Sequence, residues 1–331
     1  MRVLVTGATG FIGSALCNRL CQDGHKVAAF HRLTSAINNI SSLSLTRHIG
    51  DLTDGNSVAE AVSSFRPEVI YHLGAQMNAA PSFNRIMQVN VLGTRAVLLA
   101  ALQNHVDRVI LMSSAVTMGL PEPLQNNNQS PALINEARVQ TPELQLWPFA
   151  KSKYLAEMEA QSAATGGLDV VTVNPFMVIG PGDWYRRKSS ILLRIKEEVP
   201  RVMVRGGINI ISIKDAVTGL INACRYGKSG ERYLLCGENL TYEQFFQICG
   251  TNAGFEAPRL FYENETISRI MNKFGVGQNL HIECLEGSIF NYPNRYFYYN
   301  PKKSRVGLHL PPPEDPDTVI RDTYRWFEEH L

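Results

Sequence analysis

Three glycines near the start of the chain have a spacing that can bind phosphate. Gly7, Gly10 and Gly13 form a G-x-x-G-x-x-G pattern between the apolar run that begins at Val3 and a segment with helical apolar spacing. Gly7 permits a tight turn, Gly10 lets a phosphate approach the backbone, and Gly13 lets a helix pack closely on a sheet. Since a helix N-terminus attracts anions, the pattern predicts a bound pyrophosphate and hence a dinucleotide. A glycine turn without a ligand is the alternative, and the strand–turn–helix context disfavours it.

Polar and small residues follow two later apolar runs, where a parallel sheet would place ligand contacts. Asp51 could accept a hydrogen bond from an adenine amino group, with Leu52 behind the ring. Gly74 and Ala75 leave room for a ribose. These residues predict the adenosine side of a dinucleotide site, although Asp51 taken alone would equally suit a helix cap.

A serine and a lysine could carry the chemistry. Ser114 ends the apolar run 108–114, and Lys153 lies in the next segment with helical spacing. A hydroxyl and an ammonium that converge on a nicotinamide suit carbonyl reduction, because the serine orients the carbonyl while the lysine holds ribose hydroxyls and supplies a positive field. Taken alone, each also has a structural explanation: Ser114 as a strand end and Lys153 as a solvated side chain.

A sheet with helices on both faces would bring these residues together. Short apolar runs alternate with segments of helical spacing through the first half of the chain, at 3–5, 27–30, 69–73, 108–114 and 170–173. This alternation predicts an α/β fold with a doubly wound parallel sheet. The alternation fails after Phe176. The prediction is therefore a dinucleotide-binding domain, 1–174, with about 207–226 returning to it, and a smaller C-terminal substrate-binding lobe, 175–331.

Composition excludes several classes of protein. The chain has 331 residues, of which 44% are hydrophobic and 19% charged, as expected of a globular protein with a full core. A net charge of only +2 gives no reason to expect nucleic acid as a partner. The longest apolar runs are too short to predict a membrane span, and the N-terminus enters the first strand directly. Six scattered cysteines predict reduced thiols and a cytoplasmic location.

The order of these segments resembles one enzyme family. The segments that carry the resemblance are Thr6–Gly13, Gly50–Asp54, Tyr71–Leu73, Asn90–Thr94, Ser113–Ser114, Ser152–Glu157, Asn174–Pro181, Asn209–Asp215 and Gly230–Leu235. On these the chain resembles the extended short-chain dehydrogenase/reductase family, the NAD-dependent epimerase/dehydratase superfamily, in its dihydroflavonol-reductase and 3β-hydroxysteroid-dehydrogenase branch. The resemblance implies a Rossmann fold, a nicotinamide cofactor and a small-molecule substrate. It also implies a homodimer formed by long helices near 82–104 and 149–164.

The resemblance assigns roles to individual positions. The implied cofactor contacts are Thr6, Gly7, Thr9, Gly10, Phe11, Ile12, Gly13, His31, Arg32, Asp51, Leu52, Leu73, Gly74, Ala75, Asn90, Ser113, Lys153, Pro175, Met177 and Val178. The implied lining of the substrate pocket is Gln76, Met77, Val116, Met118, Phe176, Trp184 and Tyr185. Ser114 and Lys153 are the implied catalytic residues, and no metal site is expected.

One catalytic position departs from the family pattern. The family places a tyrosine general acid four residues before the lysine, and here that position is Phe149. Shifting the alignment to Tyr154 does not help, because that side chain points about 100° away around the helix. Phenylalanine fits the same cavity, so the prediction is an intact fold with weak hydride transfer unless another group supplies the proton. Ser114, a water held by Lys153, Tyr185 and an acidic group on the substrate all remain candidates.

The second strand ends without the carboxylate that NAD-binding members use to hold the adenosine 2′-hydroxyl. His31 and Arg32 occupy that place. A cationic Arg32 suits the 2′-phosphate of NADP, so NADP(H) is favoured over NAD(H). The alternative is that both are solvated loop residues.

Two functions follow from this sequence. The first is an NADP(H)-dependent oxidoreductase that transfers a hydride to or from a carbonyl or secondary alcohol of a small or medium organic molecule, as a ketoreductase or an epimerase/dehydratase variant. The second is a catalytically impaired dinucleotide-binding sensor or partner protein, because Phe149 removes the acid while the nucleotide motif stays whole. Turnover of cofactor with a substrate distinguishes the two.

Overall fold

The structure is a computed structural model. It describes residues 1–77, 82–125, 130–138, 147–183, 190–197, 199, 202–262 and 292–330. Trp184 and Tyr185, both expected in the substrate pocket, lie outside the described residues.

Strands and helices alternate along the first half of the chain. The strands are β1 Arg2–Thr6, β2 Lys26–His31, β3 Thr46–Ile49, β4 Val69–His72, β5 Arg108–Met112, β6 Val170–Pro175, β7 Met177–Ile179, β8 Val202–Val204, β9 Gly206–Ser212, β10 Arg232–Leu235, β11 Glu238–Thr241, β12 Leu260–Tyr262 and β13 Arg295–Tyr296. The α-helices are α1 Phe11–Gln22, α2 Gly55–Phe65, α3 Phe83–Met87, α4 Gly93–Gln103, α5 Pro148–Thr165, α6 Ile191–Glu197, α7 Ile213–Tyr226, α8 Tyr242–Ala253, α9 Lys302–Gly307 and α10 Pro316–His330.

The main sheet has seven parallel strands in the order β10-β6-β5-β4-β1-β2-β3. The strand order reverses between β1 and β4, because the chain winds outward from β1 through β2 to β3 and then returns to β4. Ligands of open α/β sheets bind in the crevice at the carboxyl ends of the strands beside such a reversal. The predicted doubly wound parallel sheet is therefore confirmed, and its ligand edge lies at Thr6, His72 and Met112.

The alternation of side chains along each central strand buries both faces of the sheet. Val3 and Val5 pack with Leu16 of α1 and Leu220 of α7 on one face. Leu4 faces the other way and packs in the cluster that contains residues of α2 and α4. Helices on both faces explain why these strands are apolar at every position rather than alternating.

A second sheet forms much of the C-terminal lobe. It has the order β11-β9-β13, and β7 also pairs with β9. Its residues Ile208 and Ile210 share an apolar cluster with Phe245 and Phe246 of α8 and with the C-terminal helix α10. The same cluster contains Phe149, so the lobe and the candidate site share one core.

One expectation about chain organisation needs correction. A strand and helix near 207–226 were expected to return to the main sheet, but only the helix does, because α7 packs on the β1 face. Strand β9 pairs instead with β11, β13 and β7 in the second sheet. The strand that joins the main sheet is β10, beside β6 and within the segment assigned to the substrate lobe. The division of the chain at residue 174 stays a prediction.

Helix α3, the π-turn Gln88–Leu92 and α4 run on as one helix, Phe83–Gln103. Among the described residues it is the one helix that is long and apolar enough to cross a membrane by length and composition. Of its apolar window, 56% is buried inside the protein, which is the behaviour of a core helix.

Candidate active site

The turn between β1 and α1 is built by close backbone packing. Gly7 has a φ of 69°, and a Cβ there would stand 2.7 Å from the backbone nitrogen of Gly74. A Cβ on Gly13 would overlap the carbonyl oxygen of Gly7. Gly10 begins the helix, and within the described ranges no side chain caps this N-terminus. The N–H groups at the start of α1 are uncapped, and the turn beside them has space that a Cβ would fill. Both features fit a bound pyrophosphate.

A buried polar relay joins the ends of β1 and β4 behind this turn. The Thr6 hydroxyl accepts from Gly74 N–H at 3.1 Å and lies 2.7 Å from Nδ1 of His72. Nε2 of His72 lies 2.9 Å from the Thr94 hydroxyl, which donates to the Asn90 carbonyl at 2.6 Å. Burial, helped by the charge of Lys153, lowers the pKa of His72 to about 3, so the imidazole is neutral. Thr6, a predicted cofactor contact, therefore uses its side chain to hold the sheet edge.

The end of β2 carries an unpaired ring nitrogen. His31 is 8% exposed, and its Nδ1–H donates to the Arg32 carbonyl at 3.0 Å. Its Nε2 is buried and has no hydrogen-bond partner among the described residues. Arg32 is exposed beside it. A buried ring nitrogen left open next to an exposed guanidinium fits the adenosine ribose of a dinucleotide better than it fits a solvated loop.

Asp51 is bound by the protein itself. Its Oδ1 accepts from the Thr53 N–H at 2.9 Å and from the Thr53 hydroxyl at 2.8 Å, and its Oδ2 pairs with Arg85 at 3.1 Å. Partial burial pulls the pKa of Asp51 upward, but the Thr53 hydrogen bonds and the Arg85 charge outweigh it and leave the pKa below its usual value. Arg85, from α3, was not expected at the adenine position.

Asn90 shapes the loop after β4 rather than presenting a free amide. Its Nδ2 donates to the Gln76 carbonyl at 2.9 Å and to the Ser152 hydroxyl at 2.8 Å, and its Oδ1 accepts from Gln76 N–H at 2.7 Å. Both donors of the amide are therefore used. The side chain that was expected to touch the cofactor instead links α5 to the loop that carries Gln76 and Met77.

Ser114 stands just past the end of β5 with its backbone firmly held. Its carbonyl accepts from Thr117 N–H at 3.1 Å and from the Asn174 amide at 3.1 Å, and the Thr117 hydroxyl lies 2.8 Å away. Its own hydroxyl accepts a long bond, 3.4 Å, from Val116 N–H at the start of a 3-10 turn. The hydroxyl proton remains available to a carbonyl oxygen.

Lys153 is buried below this edge. It is 3% exposed, and its Nζ donates to the Met112 carbonyl at 2.6 Å. Burial lowers the pKa of Lys153 to about 8, against the opposing effect of the Glu157 carboxylate. Only one N–H is used in this bond, so the other N–H groups can hold ribose hydroxyls.

Phe149 lies one helical turn before Lys153 on the same face of α5. It is 8% exposed and packs in the apolar cluster with Val116, Met118 and Phe176. The ring therefore fills the place expected for a catalytic tyrosine, and the residues around it are apolar. Three of the predicted pocket residues, Val116, Met118 and Phe176, gather here, and Met77 and Met177 pack against the same cluster.

The side chain of Ser113, a predicted cofactor contact, is bound by the protein itself. Its hydroxyl donates to Oε1 of Glu157 at 2.5 Å, inside the protein. The remaining predicted cofactor contacts lie in the turn after β1 and the first turn of α1, just after β3 and β4, or at the end of β6 and in β7, and nothing in their geometry assigns them a contact: Thr9, Phe11, Ile12, Leu52, Leu73, Ala75, Pro175, Met177 and Val178. In the described part of the chain, no group of three or more His, Cys, Asp or Glu could hold a metal.

Comparison with known sequences decides the family. A sequence model described as the NAD dependent epimerase/dehydratase family matches residues 3–236, which is most of the chain. The chain belongs to this family. The expected resemblance to its dihydroflavonol-reductase branch is confirmed by the relatives that follow.

Relatives and solved structures cover the chain broadly. Sterol demethylase protein B of Methylococcus capsulatus is 32% identical over 264 residues, covering 78% of this chain and 77% of that protein. Dihydroflavonol 4-reductase of Zea mays is 29% identical over 259 residues, covering 72% of this chain and 71% of that protein. The solved structure of the Bordetella bronchiseptica enzyme WbmH in complex with NAD+ superposes with a TM-score of 0.76 at 18% identity, covering 99% of both chains.

Membership of the NAD dependent epimerase/dehydratase family makes the chain an enzyme of a class that uses a dinucleotide. Among the described residues, the groups that fit this cofactor are the glycine turn, the open Nε2 of His31 and the N–H groups of Lys153 that Met112 does not use. Sequence reasoning missed Glu157, Arg232 and Asn174, which stand behind Ser114. Glu157 could have been noticed, because it follows Lys153 at a spacing of four in a quoted motif. Arg232 could not, because nothing local to it signals a partner 75 residues away.

Proposed function

We propose that this enzyme is an NADP(H)-dependent oxidoreductase that acts on a carbonyl or secondary alcohol of a small or medium, largely apolar organic molecule. The observation that carries the proposal is that the Ser114 hydroxyl and the buried Lys153 ammonium, which binds the Met112 carbonyl, are both held at the carboxyl end of β5, on the ligand edge of the sheet. A lysine buried to this degree is costly for a fold, and such groups concentrate at functional sites.

The two polar residues have separable roles. Ser114 orients the substrate by donating a hydrogen bond from its hydroxyl to the substrate oxygen, and its firmly held backbone keeps that donor in place. Lys153 binds ribose hydroxyls with the N–H groups that Met112 does not use, and its charge favours negative charge developing nearby. A nicotinamide dinucleotide at this edge would supply or accept the hydride.

The wall of the site favours an apolar substrate. Val116, Met118 and Phe176 form it together with Phe149, and all four are buried hydrophobic residues. Pockets of this kind take ligands with a small number of polar groups. The apolar wall therefore supports a substrate that is a ketone or alcohol with a hydrocarbon skeleton. An epimerase or dehydratase reaction remains a variant of the same hydride chemistry.

The proton donor of this reaction is unusual, since Phe149 has no hydroxyl. General acid catalysis contributes about 10²- to 10⁴-fold in rate. We therefore expect weak turnover unless Ser114, a water on Lys153 or the substrate itself supplies the proton. Phe149 is also the observation that favours the second candidate, a dinucleotide-binding sensor whose chemistry has been switched off.

NADPH oxidation tests the proposal, with wild type and Phe149→Tyr measured side by side on a panel of apolar ketones, aldehydes and dihydroflavonols. We expect slow turnover by wild type and a gain of at least tenfold in the tyrosine variant. Phe176→Tyr is the matched control, because it adds the same hydroxyl to a neighbouring wall and should give no gain. NADPH binding without turnover by either protein would overturn the oxidoreductase and favour the sensor. Faster turnover by wild type than by Phe149→Tyr would show that another group donates the proton.

The proposed partner is a second copy of the chain, in the cytoplasm, where the scattered cysteines would stay reduced. Leu92, Leu99 and Leu102 are each about half exposed on the helix Phe83–Gln103. The Arg95–Glu159 ion pair joins this helix to α5, so the apolar face borders a second helix. We expect a dimer by light scattering, and a monomer for Leu99→Glu. Leu33→Glu, at an exposed leucine outside these helices, should remain dimeric, and a monomeric wild type would contradict the proposal.

A further inference from the structure

A buried carboxylate, that of Glu157, lies behind Ser114 and Lys153. Glu157 is not among the residues expected to contact the cofactor or the substrate. Glu157 on α5 is 5% exposed. Its Oε1 accepts from the Ser113 hydroxyl at 2.5 Å, from the Asn174 amide at 2.7 Å, and lies 2.8 Å from the Thr117 hydroxyl. Several donors around one buried oxygen suit a carboxylate, since charged acceptors make the stronger hydrogen bonds.

The same partners hold the backbone of Ser114. The amide nitrogen of Asn174 donates to Glu157 at 2.7 Å and to the Ser114 carbonyl at 3.1 Å, and it lies 3.2 Å from the Thr117 hydroxyl. The Thr117 hydroxyl lies 2.8 Å from both oxygens, and its N–H also donates to the Ser114 carbonyl. Glu157 therefore orients two side chains that in turn fix the residue carrying the catalytic hydroxyl.

Helix α5 holds three consecutive residues at the end of β5. Lys153 binds the Met112 carbonyl, Glu157 binds the Ser113 side chain, and Ser114 is reached through Asn174. Lys153 and Glu157 are one helical turn apart, and the carboxylate opposes the effect of burial on the pKa of Lys153. Loss of the carboxylate should therefore affect both members of the catalytic pair.

The charge of Glu157 is balanced from another part of the chain. Arg232 on β10 lies 3.2 Å from Oε2 of Glu157. The same guanidinium donates to the carbonyls of Glu136 and Arg138, and Glu136 in turn accepts from the Leu234 N–H. The network thus extends from the catalytic pair to the loop at 130–138.

We propose that Glu157 is a positioning residue: its carboxylate, paired with Arg232, orients Ser114 through Thr117 and Asn174, and it stands one helical turn from Lys153 on α5. The inference rests on the proposed function, because Ser114 and Lys153 are its catalytic residues. The titratable groups that act on Lys153 are Glu157 on its own helix and His72 on β4, which is neutral. Arg232 on β10 acts on Glu157 from behind.

The test measures the titration of Lys153 directly, by NMR of protein labelled with ¹³C at lysine Cε. The signal is assigned by its loss in Lys153→Met. In Glu157→Gln, which keeps the shape but removes the charge, we expect the midpoint to move down by about one pH unit. Glu159→Gln is the matched control, since that carboxylate lies on the same helix in a surface ion pair with Arg95 and should leave the midpoint unchanged.

Turnover of NADPH supplies the second measurement. We expect Glu157→Gln to lose at least tenfold in turnover with its alkaline limit shifted in the same direction as the lysine midpoint. Glu157→Asp restores the charge but not the reach, so its lysine midpoint should return toward wild type while turnover stays low. A purely structural role would move neither the midpoint nor the alkaline limit.

If Glu157→Gln does not fold, the double variant Glu157→Gln/Arg232→Met takes its place. The double variant removes both buried charges together and should fold better than Glu157→Gln. An unchanged Lys153 midpoint in either folded variant would overturn the inference. Absence of turnover in both wild type and Phe149→Tyr would instead overturn the proposed function, and the lysine titration would still decide the role of Glu157.

Discussion

The glycine turn after β1 and the proposed catalytic pair, Ser114 and Lys153, stand at the same edge of one sheet, but different interactions hold them. The turn after β1 depends on backbone packing between residues close in sequence, with Gly13 against Gly7 and Gly7 against the loop of β4. The catalytic pair depends on side chains from β5, α5, β6 and β10, joined through Glu157. A single methyl group should therefore damage the first region, whereas the second accommodates Phe149, at the position where a catalytic tyrosine was expected, within a packed apolar cluster.

The largest effect is expected at the turn. Gly13→Ala places a Cβ on the Gly7 carbonyl oxygen, and no flexible side chain is there to move away. We expect at least about a 100-fold loss of NADPH affinity, or about 2.7 kcal/mol, measured by fluorescence titration. Gly55→Ala is the control, because the nearest atom to its Cβ, on Ala96, is 3.9 Å away. An NADPH affinity of Gly13→Ala within threefold of wild type would show that the turn tolerates a Cβ at this position.

The second-largest effect is expected in the free energy of unfolding, because burying the charged Lys153 destabilises the folded state. Its folded pKa of about 8 lies below the unfolded value of 10.5, so the native state is penalised below pH 8 and the penalty disappears as the pH rises from 8 to 10.5. Lys153→Met should raise the free energy of unfolding at pH 7 by about 2 kcal/mol, after allowance for the lost bond to Met112. Urea unfolding at pH 7 and pH 10 measures this.

The difference in free energy of unfolding between Lys153→Met and wild type should be smaller at pH 10 than at pH 7. A variant that is less stable than wild type at pH 7 would show that the ammonium stabilises the fold, and the catalytic pair would then resemble the turn in being structurally required. The variant should also bind NADPH more weakly, since its side chain cannot hold ribose hydroxyls.

The smallest expected effect lies at the exposed end of β2. Arg32→Gln removes the cation proposed for the 2′-phosphate, and a hydrogen bond between charged groups contributes about 1.5–3 kcal/mol. We expect NADPH affinity to fall roughly tenfold or more while NADH affinity stays unchanged. Arg225→Gln, an exposed arginine at the far end of α7, is the control. Equal losses for both cofactors would contradict the preference for NADP(H).

Much of the nucleotide edge could be predicted from sequence because its information is local. The glycine spacing, the apolar runs and the end of β2 at His31 and Arg32 all lie within the first 32 residues. The side-chain partners were less predictable. Asp51 pairs with Arg85, and Asn90 is used by Gln76 and Ser152, because polar side chains near an edge are free to bind the protein before any ligand.

The organisation of the second half was harder to predict for the same reason. Strand β9 is apolar enough for either sheet, and which one it joins depends on its neighbours β7, β11 and β13. Strand β10 joins the main sheet beside β6 although 56 residues separate the end of one from the start of the other. Apolar patterning specifies that a strand is buried, but not which strand it pairs with.

The sequence by itself determined the class of fold, the glycine turn and the presence of Phe149 four residues before Lys153, since each is a matter of residue type and local spacing. Only the tertiary structure decided that Glu157, paired with Arg232, lies behind Ser114 and that Ser113 donates to Glu157. A buried carboxylate is stable only where distant donors converge on it, and that convergence exists only once the strands have paired.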